Sequence, residues 1–364
     1  MKEVAIKDIC KKDSSELKQK ELLPEGKYPV FGASGIAGYL DRYHQKKEYI
    51  GIVKDGSGIG RVAFYPAESS LIGTMQYILP KEDYDIRYIG YCLQSLDLSK
   101  YKQGAAIPHI YFRDYGEQLV KVTDNWEEQH SIVSRLDSAF SHIDALKANA
   151  EKQLNEARKL FQAELTECMK PKEGWEEKKI GDVFQTYAGG TPLKSGKGYY
   201  EGGTIPWIRS GEVCQMYIRD CEMCITEEGM KNSSAKYYPV DTILVAMYGA
   251  TAAQVGILKF EATSNQAVCG ILPHKDFIPE YIYYWFTNIQ KDLAAQAQGG
   301  AQPNLSQVKI KKVSISYPSR TIQQAIVSHL DSLSSTIRKL EELQQKTLAE
   351  CDALKQAMLR EVFE

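Results

Sequence analysis

The side chains able to do chemistry are scattered in this chain, and their spacing excludes most reactions. The six histidines are dispersed, and no His-Glu-x-x-His pair is present to seat a catalytic zinc. No Gly-x-Ser-x-Gly turn exists to expose a nucleophilic serine. The Asn-Pro-Pro-aromatic and Asp-Pro-Pro-aromatic segments of a base methyltransferase are also missing. The run Gly189-Gly190-Thr191-Pro192-Leu193-Lys194-Ser195-Gly196-Lys197-Gly198 comes near a phosphate-binding loop. Its spacing fails, because Gly196-Lys197 needs glycine at Thr191 and Ser or Thr at Gly198, which excludes nucleotide hydrolysis there. Cys214, Cys221 and Cys224 are the one cluster among eight cysteines, with no fourth Cys or His at a zinc spacing. They read as reduced thiols partly in strands. What remains is a set of glycine-rich loops with small, polar and basic residues, Gly32–Tyr39 and Gly189–Gly198 above all. Such loops suit recognition better than catalysis, and ordinary turn chemistry is the alternative.

Two copies of one unit position these loops. Ile132-Val133-Ser134-Arg135-Leu136-Asp137-Ser138 and Ile326-Val327-Ser328-His329-Leu330-Asp331-Ser332 match at six of seven positions, 194 residues apart. Gln103-Gly104 to Pro108 resembles Gln298-Gly299 to Pro303, and Ile78-Leu79-Pro80 repeats as Ile271-Leu272-Pro273. Ile6-Lys7-Asp8 resembles Ile180-Gly181-Asp182 at an offset of 174, so the second copy holds about twenty extra residues, expected near Gly189 to Val213. A period this long, seen twice, is a domain duplication rather than a solenoid.

Each copy ends in a helical stripe. Ile132, Leu136, Ile143, Leu154 and Phe161 mark the first, and Ile326, Leu330, Ile337, Leu340 and Leu354 the second. Asp124 with Glu127, and Thr321 with Gln324, are candidate caps. Each run is near 40 residues, about 55–60 Å at 1.5 Å per residue. Helices that long with narrow stripes predict an antiparallel coiled coil. The expected organisation is a globular domain over 1–126, a helix over 127–169, a second domain over 170–320 and a helix over 321–364. The globular parts read as α+β. Ile243–Met247 with Val255–Leu258, and Tyr49–Val53 with Arg61–Tyr65, are predicted strand pairs; Tyr88–Leu93 and Tyr281–Phe286 are short helices or buried segments.

Net charge is −2, unevenly spread. Residues 1–126 carry +1 and 170–320 carry +2, while the helical stretches carry −3 and −2. Local basic faces are thus permitted on the globular parts. No signal segment and no run of about 20 apolar residues is present, which predicts a soluble, cytoplasmic protein.

In the order of these landmarks the chain resembles the specificity subunit of type I restriction–modification systems. The resemblance spans essentially the whole chain. It rests on the repeated Gln-x-x-Ile-Val-Ser-x-Leu-Asp-Ser helix starts and the Gln-Gly-x-x-x-Pro segments. Gly189-Gly190-Thr191-Pro192, Ile205-Pro206-Trp207 and the stretch from Tyr248-Gly249-Ala250-Thr251 to Asn265-Gln266-Ala267 add to it. The first copy departs by lacking the Gly-Gly-Thr-Pro and Ile-Pro-Trp segments. The resemblance implies two target recognition domains with internal pseudo-two-fold symmetry, each reading one half of a bipartite DNA site. It implies a helix pair that sets their spacing and docks two methyltransferase subunits. Those partners would bring S-adenosylmethionine and methylate adenine after flipping it from the stack. A restriction subunit using ATP and Mg would join in some complexes, and this chain would be non-catalytic and hold no cofactor or metal. The alternative is a coiled-coil scaffold binding only proteins. The residues expected at DNA are Ser34, Tyr39, Lys54, Ser57, Arg61, Gln76 and His109 in the first copy. In the second they are Lys194, Lys197, Arg209, Ser210, Tyr248, Thr251, Gln254, Gln266, Gln302 and Asn304. Arg reads guanine bidentately, Asn and Gln read adenine, and Lys mainly holds phosphate.

Overall fold

The structure, a computed structural model, describes residues 1–104, 107–193, 198–296 and 304–364. It divides into two compact units, Met1–Lys152 with Leu343–Glu364, and Gln153–Glu342.

In the first unit, β1 (Lys2–Ala5), α1 (Ile6–Ile9), β2 (Cys10–Ser14), β3 (Tyr28–Gly32) and β4 (Gly35–Leu40) are followed by β5 (Tyr49–Val53), β6 (Val62–Tyr65), β7 (Ser70–Leu71) and β8 (Met75–Pro80). Then come α2 (Ile86–Ser95), α3 (Phe112–Tyr115), β9 (Leu119–Val122) and the long α4 (Trp126–Met169), whose later part belongs to the second unit. The sheets run β2-β8-β5-β6, β4-β3-β7 and β1-β9. Every residue of β5 is buried because both faces of its sheet are covered. With the two-residue strand period, Ile50, Ile52 and Ile78 enter the core that also holds Leu136 and Ile143, while Tyr49, Val53, Met75 and Tyr77 form a second core on the other face.

The second unit repeats this plan. It holds β10 (Glu176–Lys179), α5 (Ile180–Val183), β11 (Thr186–Ala188), β12 (Ile205–Ile208), β13 (Tyr217–Ile218), β14 (Cys224–Ile225) and α6 (Glu227–Lys231). These are followed by β15 (Ile243–Ala246), β16 (Val255–Leu258), β17 (Thr263–Ser264) and β18 (Val268–Ile271). The unit continues through α7 (Pro279–Asn288), α8 (Gln290–Ala295), α9 (Gln307–Lys312) and β19 (Ser314–Tyr317) into α10 (Arg320–Phe363). Its sheets run β11-β18-β15-β16-β13, β14-β12-β17 and β10-β19. Ile243 and Val245 face one core, Leu244 and Ala246 the other. The strand pairs read from the sequence form in both units, and Tyr88–Leu93 and Tyr281–Phe286 lie in helices α2 and α7.

Strand register corrects the position of the insertion. Lys12 lies opposite Ile78 as Thr186 lies opposite Ile271, and Val30 opposite Ser70 as Trp207 lies opposite Thr263. Thr186 to Trp207 is three residues longer than Lys12 to Val30, whereas Trp207 to Ile243 is sixteen longer than Val30 to Ile50. Most of the extra chain therefore follows Trp207 and builds β13 and α6, and does not centre on Gly189–Val213. Tyr28-Pro29-Val30 is the first unit's counterpart of Ile205-Pro206-Trp207, which the sequence comparison had treated as absent.

Within each unit the long helices lie antiparallel. In the first, Lys147 pairs with Asp352 at 2.8 Å and Asp144 with Lys355 at 2.6 Å. In the second, Arg158 meets Glu341 at 2.9 Å and Glu164 meets His329 at 2.9 Å. Such exposed pairs are screened by solvent, so they record register more than they stabilise it. The stripe residues Ile132, Leu136, Ile143 and Leu330 are buried, while Leu154, Phe161, Ile326, Ile337 and Leu340 are half-buried. Leu354 is a correction: it is 51% exposed, and the inward positions near it are Cys351, Leu359 and Phe363. The caps differ too. Asn125 accepts from the Glu128 N–H, while Asp124 is engaged by Lys2. The second helix starts on Ser319, whose carbonyl accepts from Ile322 and Gln323. Among the described residues no helix is long and apolar enough to cross a membrane.

Candidate nucleic-acid interface

In the first unit three loops meet. The β5–β6 loop is tied to the segment after Gln103: Gly56 N–H donates to the Pro108 carbonyl, and Ile110 N–H to the Lys54 carbonyl, both at 2.9 Å. Gly56 is needed here because its φ of +94° lies in the left-handed region. His109 Nδ1 sits 2.6 Å from Asp55 Oδ1. From the far side of the loop Arg61 donates to the Ala33 carbonyl at 2.7 Å, reaching the β3–β4 turn that carries Ser34. Ser34, Ser57 and Arg61 are exposed, and Tyr39, Lys54 and His109 half-buried. Tyr39 pairs through its backbone with Leu23. Arg61 has a neutral partner, which leaves its charge available. His109 is held by a carboxylate, which ties up one ring nitrogen.

Gln76 leaves the list of surface readers. It is 5% exposed on β8, and its Oε1 accepts from the buried Tyr115 hydroxyl at 2.6 Å. A strand residue beside a glycine loop reads like a loop residue until the pleat direction is known. Tyr111 and Arg113 were missed. Tyr111 is 43% exposed, stacks beside His109 and lies under the Arg113 guanidinium at 4.9 Å. The alternation of basic and aromatic residues at 109, 111 and 113 was the available signal.

The second unit builds the matching cluster. The β15–β16 loop is bridged at Tyr248 to Asn304, as the β5–β6 loop is bridged at Asp55 to His109. Met247 N–H donates to Ala267 O, and Leu305 N–H to Met247 O, both at 2.7 Å. The Thr191 hydroxyl donates to the Gln266 amide oxygen, bringing in the Gly189–Gly190 loop. Those two glycines are packing residues. A Cβ on Gly189 would lie 2.2 Å from the Asn265 carbonyl oxygen, and one on Gly190 2.2 Å from the Ala235 backbone nitrogen. Tyr248, Gln266 and Asn304 are exposed, and Ser210, Thr251 and Gln254 half-buried. Thr251 turns its hydroxyl back to the Tyr248 carbonyl at 3.2 Å. Gln254 corresponds in register to Arg61, and its Oε1 is buried with no partner among the described residues.

Arg209 is corrected: Glu212 and Glu222 both bind it, so its charge is already neutralised within the unit. Glu222 lies in the chain extension after Trp207, beyond the Gly189–Val213 stretch where the sequence places that extension. Lys194, Lys197 and Gln302 lie outside the described residues, as do Ala105 and Ala106 in the Gln103–Pro108 segment.

The repeated helix starts have an internal explanation. Gln129 is fully buried; its Oε1 accepts from Asp85 N–H at 2.7 Å, and its Nε2 donates to the carbonyls of Asp83 and Thr123 at 3.1 and 3.0 Å. Gln323 repeats every contact, accepting from Ile278 N–H at 3.0 Å and donating to the carbonyls of Asp276 and Pro318, each at 3.0 Å. Asp85 and Ile278 are the N-caps of α2 and α7, so each glutamine fixes a short helix to a long one. The motif aspartates act likewise. Tyr91 donates to Asp137, which Arg87 also binds at 2.7 Å, and Tyr284 donates to Asp331 at 2.6 Å. Burial, then the adjacent carboxylate, pushes both tyrosine hydroxyls upward, so they remain donors. The serines of the motif are different. Ser134, Ser138, Ser328 and Ser332 are identical between copies yet exposed.

Comparison with known proteins matches residues 1–156 and 172–349 to the model described as the type I restriction modification DNA specificity domain. The chain belongs to that family. It is 27% identical over 265 residues to the EcoR124I/EcoR124II specificity subunit of Escherichia coli, covering 71% of this chain and 65% of that protein. It is 34% identical over 193 residues to the MjaIX specificity subunit of Methanocaldococcus jannaschii, covering 51% of this chain and 44% of that one. The chain thus spans less than two thirds of these relatives' lengths. In fold it is similar to a chain solved in a study of complex assembly and conformational transition in a type I restriction–modification system. The TM-score there is 0.76 at 15% identity, covering 98% of this chain and 96% of that one. The HsdS subunit of Thermoanaerobacter tengcongensis gives a TM-score of 0.55 at 16% identity, covering 98% and 95%. Family membership and fold agree with the mixed α and β, two-domain reading of the sequence.

Proposed function

We propose that this chain is the DNA-reading subunit of a type I restriction–modification complex and that each unit reads one half of a bipartite target. The observation that carries the reading is the pair of loop clusters, one per unit, built on the same strands with different side chains. One presents Arg61, Ser34, Ser57, Tyr111 and His109; the other presents Tyr248, Thr251, Gln266 and Asn304, with Gln254 half-buried beside them. A conserved scaffold with divergent loops suits two different half-sites. The first set favours guanine and phosphate through Arg61, the second favours adenine through its amides. Methyl transfer and DNA cleavage belong to partner subunits in this reading, with S-adenosylmethionine, ATP and Mg bound there. The exposed serines at the two helix starts support docking of two identical modification subunits, because among the described residues their hydroxyls make only a 3.5 Å contact from Gln324 to Ser328.

The test is coexpression with the modification subunits from the same source, followed by sequencing of methylated adenine. One bipartite motif is expected. Arg61→Ala relaxes or abolishes readout in one half only, and Asn304→Ala does so in the other half only. Unchanged motifs in both variants, or a variant that alters both halves alike, would overturn the assignment of one half-site to each unit.

A further inference from the structure

Near the end of α4 and the start of α10, inside the second unit, three donor side chains of different chemistry converge. Glu164 and Cys168 are four residues apart and so share a face of α4. His329 projects to them from α10, with Nε2 2.9 Å from Glu164 Oε1, and the Cys168 sulfur is 3.7 Å from the same oxygen. All three donor atoms lie within 4.8 Å of one another. Among the described residues this is the one group of three or more His, Cys, Asp or Glu donors so gathered. We propose that Glu164, Cys168 and His329 form a binding site for a single zinc ion.

Zinc binds cysteine sulfur at about 2.3 Å and imidazole nitrogen or carboxylate oxygen at about 2.0–2.2 Å. Tetrahedral donors then stand roughly 3.3–3.7 Å apart, by the geometry of those bond lengths. The spacings of 2.9 and 3.7 Å lie below and at the upper end of that range and the third is within 4.8 Å, so the ion needs the donors to shift by only fractions of an ångström to about an ångström. One sulfur, one nitrogen and one oxygen suit zinc over magnesium or calcium, which take all-oxygen sets. Water completes the fourth position, since Glu164 and His329 face solvent with side chains 39% and 54% exposed. On binding, the Cys168 S–H bond breaks, the S–Zn bond forms and the proton leaves to solvent. The His329 Nε2 proton that donates to Glu164 before the ion binds also leaves, and the imidazole presents its Nε2 lone pair with the ring proton on Nδ1. A helix-to-helix hydrogen bond alone needs no thiol beside it. The ion would fasten the last turns of α4 to the first turns of α10, where Leu165, Met169 and Leu330 already meet in one core.

The helix repeat does not carry the site into the first unit. At the 194-residue offset of the helix repeat, His329 corresponds to Arg135, Glu164 to Met358 and Cys168 to Val362, and none of these counterparts is a zinc ligand. The test is titration of the metal-free full chain with Co2+, then with Zn2+. One equivalent of Co2+ is expected to give tetrahedral visible bands and a thiolate charge-transfer band, displaced by Zn2+. Cys168→Ser abolishes the charge-transfer band, and His329→Gln weakens binding at least tenfold. A Cys221→Ser/Cys224→Ser double variant retains the full signal. Zn2+ raises the melting temperature of wild type and not of Cys168→Ser, as mass action requires. No charge-transfer band in wild type at micromolar protein, or a band that survives Cys168→Ser, overturns the proposal.

Discussion

Replacing the buried glutamines at the two helix starts separates a structural role from a surface one. Gln129→Ala removes three hydrogen bonds, but the Asp83 carbonyl is on an exposed residue and the Asp85 amide on a half-buried one, so water can satisfy them. Thr123, 6% exposed, keeps an unpaired carbonyl. One buried unsatisfied group costs about 1–3 kcal/mol, and the lost side-chain packing adds to it, giving about 2–3 kcal/mol. Gln323→Ala is worse, because both the Ile278 amide and the Pro318 carbonyl are buried, which raises the figure to about 3–5 kcal/mol. Urea unfolding followed by circular dichroism measures the loss, and hydrogen exchange locates it. Exchange should accelerate at the first turn of α2 in Gln129→Ala and of α7 in Gln323→Ala. Ser134→Ala and Ser328→Ala, which remove exposed hydroxyls of the same motif, leave stability within about 0.5 kcal/mol. The reasoning fails if Gln323→Ala costs under about 1 kcal/mol, or if both glutamine variants exchange no faster at these turns than the serine variants do.

Alkaline pH provides a second check. Burial pushes the Cys10 and Cys269 thiols up to about 12 from 9.0, and the Tyr88 and Tyr238 hydroxyls up to about 12 from 10.0. The folded chain therefore holds protons that the unfolded chain releases first. The stabilisation is complete below about pH 9 and is lost as pH rises through 9 to 12, so the urea midpoint should fall steadily across that window; a flat midpoint contradicts the burial of these groups. Gly190→Ala should destabilise the second unit by about 3 kcal/mol, the upper end for overpacking, since backbone at Ala235 and Ser234 cannot yield to a Cβ. Gly211→Ala, with nothing within 4 Å and no left-handed backbone, should be neutral in the same denaturation experiment.

What the sequence by itself determined is what repeats locally. The duplication, the two long helices and the strand pairs around Gly51 and Gly256 were legible because periodicity and identity are local properties of the chain. The meaning of the repeated motif was not. The resemblance implied a helix pair that docks partner subunits, yet Gln129, Ile132, Leu136 and their counterparts are spent inside each unit, and among the identical residues of the motif the serines are the exposed ones. Only tertiary structure decided this, because the partners of Gln129 and Gln323 lie more than forty residues away at Asp85 and Ile278. The same limit governed the loops. Gln76, Arg209 and Arg61 are all polar residues beside turns, and one is buried on a strand, one neutralised by two carboxylates and one left with its charge toward solvent. A side chain's type sets what it can bind, but whether it is free to bind depends on which distant groups the fold brings against it.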